Sequence, residues 1–168
     1  MERWRRLSSR PLSRGYIHLD EDLVRLPDGR ELSYQVVRAN GFACACPVTN
    51  DGLVALVRQY RYPLDQVTCE LPAGSIEAGE SPLTAAQRET AEEVGFSSDD
   101  WVDLGAFWTM PGRGDEVGHL FLARNAIPAE RPPQEEQTEV LLEPIEVALR
   151  LVMTVRDVLC LRLAREHL

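Results

Sequence analysis

Lysine is absent from this chain, and all 18 of its basic residues are arginine. That excludes Schiff-base chemistry and the phosphate-loop lysine. Cysteine is scarce and patternless: Cys44, Cys46, Cys69 and Cys160 form no CxxC motif, so they read as buried structural thiols rather than a metal or redox site. On a strand, Cys44 and Cys46 would point to one face. No apolar run has the length of a membrane span or the form of a secretory segment, so the expectation is a cytoplasmic protein with no membrane partner. Positive charge is also short. A net charge of -9 and a pI near 4.9 argue against nonspecific nucleic-acid binding, so small anionic ligands would need local arginines. His18, His119 and His167 are scattered without a serine or cysteine nucleophile motif, which leaves triad chemistry without support.

What is present suits one compact enzyme, since 168 residues with 44% hydrophobic content can enclose a single core. The most informative stretch is GSIEAGESPLTAAQRETAEEVGF, from Gly74 to Phe96. Ser81 suits an N-cap, Pro82 the first helical position and Gly95 the residue just past the end, so a helix is expected over 82–94. At 3.6 residues per turn Glu89, Glu92 and Glu93 share one face, while Leu83, Ala86, Thr90 and Val94 form a less polar packing stripe. Like charges at this spacing cost an isolated helix about 0.2 to 0.5 kcal/mol per pair, and acid near its C-terminus costs more. A hard cation such as Mg2+ would offset that, and Arg88 is a second means of doing so. Spacing alone leaves a solvated acidic face as the alternative.

Elsewhere, Tyr16 to Leu19 and Asp22 to Leu26 read as short strands, and Pro27-Asp28-Gly29-Arg30 as a turn into the alternating segment Glu31 to Val37. Phe42 to Val48 and Leu53 to Tyr60 are strand-length apolar runs joined by Thr49-Asn50-Asp51-Gly52. Trp101 to Phe107 and Gly118 to Ala123 read as further strands around the Pro/Gly-rich loop from Met110 to Gly114. Helices are expected over Pro144 to Met153 and Val155 to Glu166. The first fifteen residues are rich in arginine and serine like a transit peptide, but they run straight into strand-like sequence and are read as part of the mature chain. This element order predicts an α/β/α sandwich with a mixed central sheet.

The pattern of Gly74, five residues, Glu80, seven residues, then Arg88-Glu89-x-x-Glu92-Glu93-x-Gly95 and Phe96 resembles the Nudix box. Thr90 departs from it, because the family usually places a larger aliphatic residue there. Arg58-Gln59-Tyr60-Arg61-Tyr62-Pro63 and Glu70-Leu71-Pro72-Ala73-Gly74 are similar to the ADP-ribose pyrophosphatase and nucleotide-sugar diphosphatase branch. Pro111, fifteen residues beyond Phe96, matches a marker of members that hydrolyse ADP-ribose. Arg113-Gly114-Asp115-Glu116 matches the family loop less well.

The resemblance implies the Nudix fold, with an N-terminal antiparallel β extension over residues 1–40 that serves as a dimerisation element and a hydrolase domain over 41–168. It implies that Glu89, Glu92 and Glu93, the Ala73 carbonyl and Glu136 hold two or more Mg2+ or Mn2+ ions. Glu92, Glu93 and Glu136 are the implied catalytic residues; Arg61, Glu70 and Pro111 are the implied substrate contacts. Glu135 lies in the same acidic loop as Glu136. The implied reaction is metal-dependent hydrolysis of ADP-ribose to AMP and ribose 5-phosphate by a homodimer. The alternatives are another nucleoside diphosphate sugar as substrate, or a catalytically silent ADP-ribose sensor.

Overall fold

The structure is a computed structural model that describes residues 1–15, 17–132 and 137–168. It contains two compact units, one of Met1–Gly41 with Trp108–Val117, the other of Phe42–Phe107 with Gly118–Leu168.

The first unit is a three-stranded antiparallel sheet of β1 (Arg5–Arg14), β2 (His18–Arg25) and β3 (Glu31–Arg38) in that order. The two short strands expected before the turn are one: His18 to Arg25 pairs without interruption against Arg38 to Glu31. β1 was not anticipated as a strand, because its arginines and serines carry no apolar alternation. Its backbone pairs with β2 from Arg5↔Arg25 to Arg14↔His18. The return segment belongs here too: Val37 bridges to Gly114, Tyr34 Oη donates to the Gly112 carbonyl at 2.6 Å, and Arg38 pairs with Asp115 at 3.1 Å. Charge rather than apolar burial holds the middle of this sheet. Asp20 and Asp22 are buried on β2, and the Arg38 guanidinium reaches both.

The second unit is built on a mixed sheet in the order β11-β5-β4-β10-β8, with β6 on β5, β7 on β4 and β9 on β10. Its strands are β4 (Phe42–Thr49), β5 (Leu53–Arg61), β6 (Gln66–Glu70), β7 (Ala73–Ser75), β8 (Phe96–Ser97), β9 (Asp100–Trp108), β10 (Val117–Pro128) and β11 (Thr138–Pro144). β10 runs parallel to β4, while β10–β8, β11–β5, β4–β5, β4–β7 and β5–β6 are antiparallel. Strand alternation sorts the side chains by face. Cys44, Cys46, Leu56, Leu120 and Leu122 pack against Ala148, Cys160 and Leu161 from α2 (Ile145–Leu151) and α3 (Val155–Ala164). Ala43, Ala45 and Phe121 pack against Ala85 and Ala86 of α1 (Pro82–Glu89). Ala55 and Val57 meet Val94 and Phe96 on the same side. Helices therefore cover both faces, and all four cysteines are free and buried.

The α1 region follows its capping residues. Ser81 Oγ accepts from the Thr84 amide at 3.1 Å, Pro82 opens the helix, and Gly95 closes it in the left-handed region at φ +70°. The regular helix ends at Glu89, and Thr90–Val94 widens into a π turn, a form that recurs at functional sites. Thr90 is fully buried and donates its hydroxyl to the Ala86 carbonyl at 2.7 Å, which satisfies the polar atom that separates it from an aliphatic residue. Leu83 leaves the packing stripe: it is 37% exposed, and Ala85 takes the sheet-facing place. Among the described residues no helix is long and apolar enough to cross a membrane.

Candidate active site

The site starts at the end of β6. Glu70 is buried, Leu71 and Pro72 follow it into the interior, and the Pro72 carbonyl accepts from the Ala45 amide at 3.0 Å. This anchors the turn into β7, where Ala73 and Gly74 pair with Cys44 and Ala43. The Ala73 amide then donates to Glu93 Oε2 at 2.9 Å, tying the loop to the π turn. Gly74 lets the Glu89 carboxylate lie against the loop, since a Cβ on it would overlap that carboxylate and push it aside.

Arg88 holds the acidic face together. Its Nε and Nη2 fork onto Glu80 at 3.0 and 3.1 Å, its Nη1 donates to Glu89 at 2.6 Å and to Glu92 at 3.1 Å, and Nη2 also reaches the Ser75 carbonyl. The like-charge cost of the helix face is thus offset within the chain by a planar donor array suited to several carboxylates at once. Arg88 and the Glu77 amide hold the Glu80 carboxyl below its usual range. Burial pushes Glu89 the other way, above the ordinary carboxylate range, against the pull of Arg88. Glu93 moves furthest, up to about 7. Burial is the main cause, opposed by the Ala73 amide and reinforced by the Glu89 charge.

A second set of charges lies beside it. Arg61 donates from Nε and Nη2 to the two oxygens of Glu70, both at 2.8 Å, and Thr68 Oγ1 adds a bond to Oε1 at 2.6 Å. Arg156, at the start of α3, reaches Glu70 Oε2 at 3.2 Å and Asp157 Oδ1 at 2.8 Å, with its guanidinium 5.7 Å from the centroid of the Phe42 ring. Burial would raise the Glu70 carboxyl, but the bonds from Arg61 and Thr68 and the two positive charges outweigh it and hold it down at about 2. Arg61 also lines a cavity of about 650 Å³ with Arg58, Tyr60, Tyr62, Gln137 and Glu139.

The structure therefore places Glu89, Glu92, Glu93, Ala73, Arg61 and Glu70 in one unit, with Glu93 linked to the Ala73 loop and Glu70 to Arg61. It does not gather the box carboxylates into one knot. Among the described residues no three acidic, histidine or cysteine side chains converge as a metal-holding group, because Arg88 engages Glu89 and Glu92 while Glu93 is turned to the Ala73 amide. The donor chemistry nonetheless fits a hard divalent cation. The donors are oxygens, two of them belong to partly buried carboxylates raised by desolvation, and six carboxylates in this unit lie beside three guanidiniums. Pro111 belongs to the first unit, exposed in a turn where the Arg113 and Gly114 amides donate to the Met110 carbonyl. Glu135 and Glu136 lie outside the described residues. Sequence reasoning missed Arg156, Asp157 and Thr68. The one signal for the first two was a charged pair opening an otherwise apolar helix.

The comparisons agree with this geometry. The NUDIX domain family matches residues 39–164. An ADP-ribose pyrophosphatase of Bacillus subtilis is 36% identical over 132 residues, covering 77% of this chain and 71% of that protein. A methanol dehydrogenase activator of Bacillus methanolicus is 35% identical over 133 residues, covering 79% and 71%. The crystal structure of an ADP compounds hydrolase superposes with a TM-score of 0.88 at 21% identity, covering 99% of this chain and 95% of the other, which establishes the fold. The chain belongs to the Nudix family and is a Nudix hydrolase, of the class that cleaves diphosphate linkages. Within the family it stands in the ADP-ribose pyrophosphatase branch.

Proposed function

We propose that the protein hydrolyses the diphosphate of ADP-ribose to AMP and ribose 5-phosphate with the help of divalent cations. The observation that carries this reading is the end of α1 and its π turn, which present Glu89, Glu92 and Glu93 beside the Ala73–Gly74 loop, with the Arg61–Glu70 fork in the same unit. The candidate ligands for two or more Mg2+ or Mn2+ ions are Glu89, Glu92, Glu93, the Ala73 carbonyl and Glu136. When bound, such ions neutralise phosphate charge and acidify water. The chain's own residues do the rest. Glu70 fixes the Arg61 guanidinium, whose remaining donors suit paired phosphate oxygens. Glu93, tied to the loop by the Ala73 amide, is assigned a place among those ligands and a share in accepting the proton of the attacking water. Glu92 and Glu136 are assigned to the same proton and ligand work, and Pro111 is kept as the marker of members that hydrolyse ADP-ribose.

ADP-ribose as substrate rests on the relatives in this branch and on Pro111. A second reading, the same cleavage on another nucleoside diphosphate sugar, is favoured by the Arg113–Glu116 segment. There Asp115 is committed to Arg38 and to the Ala39 amide at 3.1 Å. A silent ADP-ribose sensor is the least supported reading, because every box glutamate is present. Incubating the protein with Mg2+ and a panel of ADP-ribose, ADP-glucose and other nucleoside diphosphate sugars, then resolving the products, separates the three. AMP with ribose 5-phosphate is the expected result, and turnover of another sugar alone overturns the assignment. We further assign the first unit as the element of a homodimer. Its apolar Trp4, Leu12, Ile17 and Leu23 are exposed, and a three-stranded sheet with so little buried apolar surface gains from a second copy. Light scattering that returns the monomer mass at micromolar concentration removes this. A reducing compartment, the cytoplasm, suits four free thiols.

A further inference from the structure

We infer that Arg156 and Asp157, on the C-terminal helix, are positioning residues for substrate recognition: through Glu70 they fix the plane in which Arg61 offers its guanidinium to the diphosphate. The inference rests on the reading of Arg61 as a phosphate contact. Four charged side chains of alternating sign form one line, from Asp157 through Arg156 and Glu70 to Arg61, with links of 2.8, 3.2 and 2.8 Å. The inner end is enclosed. Asp157 is fully buried, its amide is capped by Thr154 Oγ1 at 3.2 Å, and Arg156 is held over the Phe42 ring. The outer end is not, for the Arg61 side chain is 37% exposed and lines the 650 Å³ cavity.

Stability alone is a poor reason for this arrangement. Buried ion pairs cost desolvation and are often replaceable by apolar side chains without loss, and here Asp157 Oδ2 lacks a hydrogen-bond partner among the described residues. A line of this kind has value where its last member must keep one orientation. Arg61 spends Nε and one Nη2 proton on Glu70, and the fork is planar, so fixing Glu70 fixes the direction of every donor left over. Among the described residues Thr68 and Arg156 also fix Glu70. A lysine at 156 keeps the charge but cannot bridge Glu70 and Asp157 in one plane.

The test is steady-state hydrolysis of ADP-ribose by Arg156→Lys and Asp157→Asn, each also made in an Arg61→Met background, with circular dichroism to confirm folding. KM is expected to rise about tenfold with kcat within about threefold, and the same substitution is expected to change KM by less than about twofold once Arg61 is gone. A wild-type KM in both variants, or an equal fold-change in both backgrounds, overturns the inference. Should these variants not fold, Thr68→Val removes the neutral bond to Glu70, and an unchanged KM there overturns it in place of an expected rise of about threefold. If the wild-type protein cleaves no diphosphate, the proposed activity fails by itself. Calorimetric binding of ADP-ribose in EDTA then decides the inference: binding about tenfold weaker in Arg156→Lys sustains it, and equal or absent binding in both proteins sinks it.

Discussion

Protonating Glu70 should cost the protein a defined part of its stability in acid. Its carboxyl falls from 4.5 to about 2 in the folded protein, because Arg61, Thr68 and Arg156 outweigh the burial that opposes them. A depressed folded value means that the contribution is whole above pH 4.5 and is lost as pH falls toward about 2. At about 1.4 kcal/mol per pH unit this amounts to about 3 kcal/mol. The 37% exposure of the Arg61 side chain lets water screen part of it, so about 2 kcal/mol is the working figure. The assay is urea unfolding followed by tryptophan fluorescence from pH 7 down to pH 2, for the wild type and for Glu70→Gln. The amide cannot titrate; it takes from Arg61 its carboxylate and leaves Arg156 with Asp157 alone. Glu70→Gln should therefore be less stable by about 2 kcal/mol or more at pH 7, and the gap should close toward pH 2. Two curves that stay parallel throughout would refute the reasoning.

Other substitutions test other parts of the account. Gly74→Ala should cost less than about 1 kcal/mol in urea unfolding, since its Cβ overlaps only the movable end of the Glu89 side chain, but should lower kcat at least tenfold by displacing that carboxylate. Ser81→Ala removes the cap on the Thr84 amide; a loss of about 1 kcal/mol with unchanged kcat is expected from paired melting and rate measurements. Thr90→Val restores the aliphatic residue usual in the family and deletes a bond that only satisfied the hydroxyl itself. Its stability should match or exceed the wild type by up to about 1 kcal/mol, and a loss above that would give the hydroxyl a role not described here.

What could be read in advance was whatever local chemistry decides. Ser81, Pro82 and Gly95 bracket the α1 region because capping depends on a few neighbouring atoms. β4 and β5 followed from apolar runs around Asp51-Gly52, and Cys44 and Cys46 share one face as strand alternation requires. The rest depended on partners distant in sequence. β1 is a strand because β2 supplies its hydrogen bonds, not because of its own composition. Trp108–Val117 joins the first unit through Val37, Tyr34 and Arg38, about 75 residues earlier, and no linker composition announces it. At the site, the box pattern located the glutamates but not their engagements. Arg88 binding Glu80, Glu89 and Glu92 together is a three-dimensional outcome, and so is the approach of Arg156 to Glu70.

The central claim is that the carboxylates around the π turn take up a divalent cation. Electron paramagnetic resonance of free Mn2+ tests it, titrating the ion into wild-type protein and into Glu93→Gln with and without ADP-ribose. The account predicts that the wild type depletes the free-ion signal and that Glu93→Gln, with an unchanged circular dichroism spectrum, binds at least about tenfold more weakly. A wild-type protein that leaves the free Mn2+ signal intact, with nucleotide present as well as absent, would contradict it.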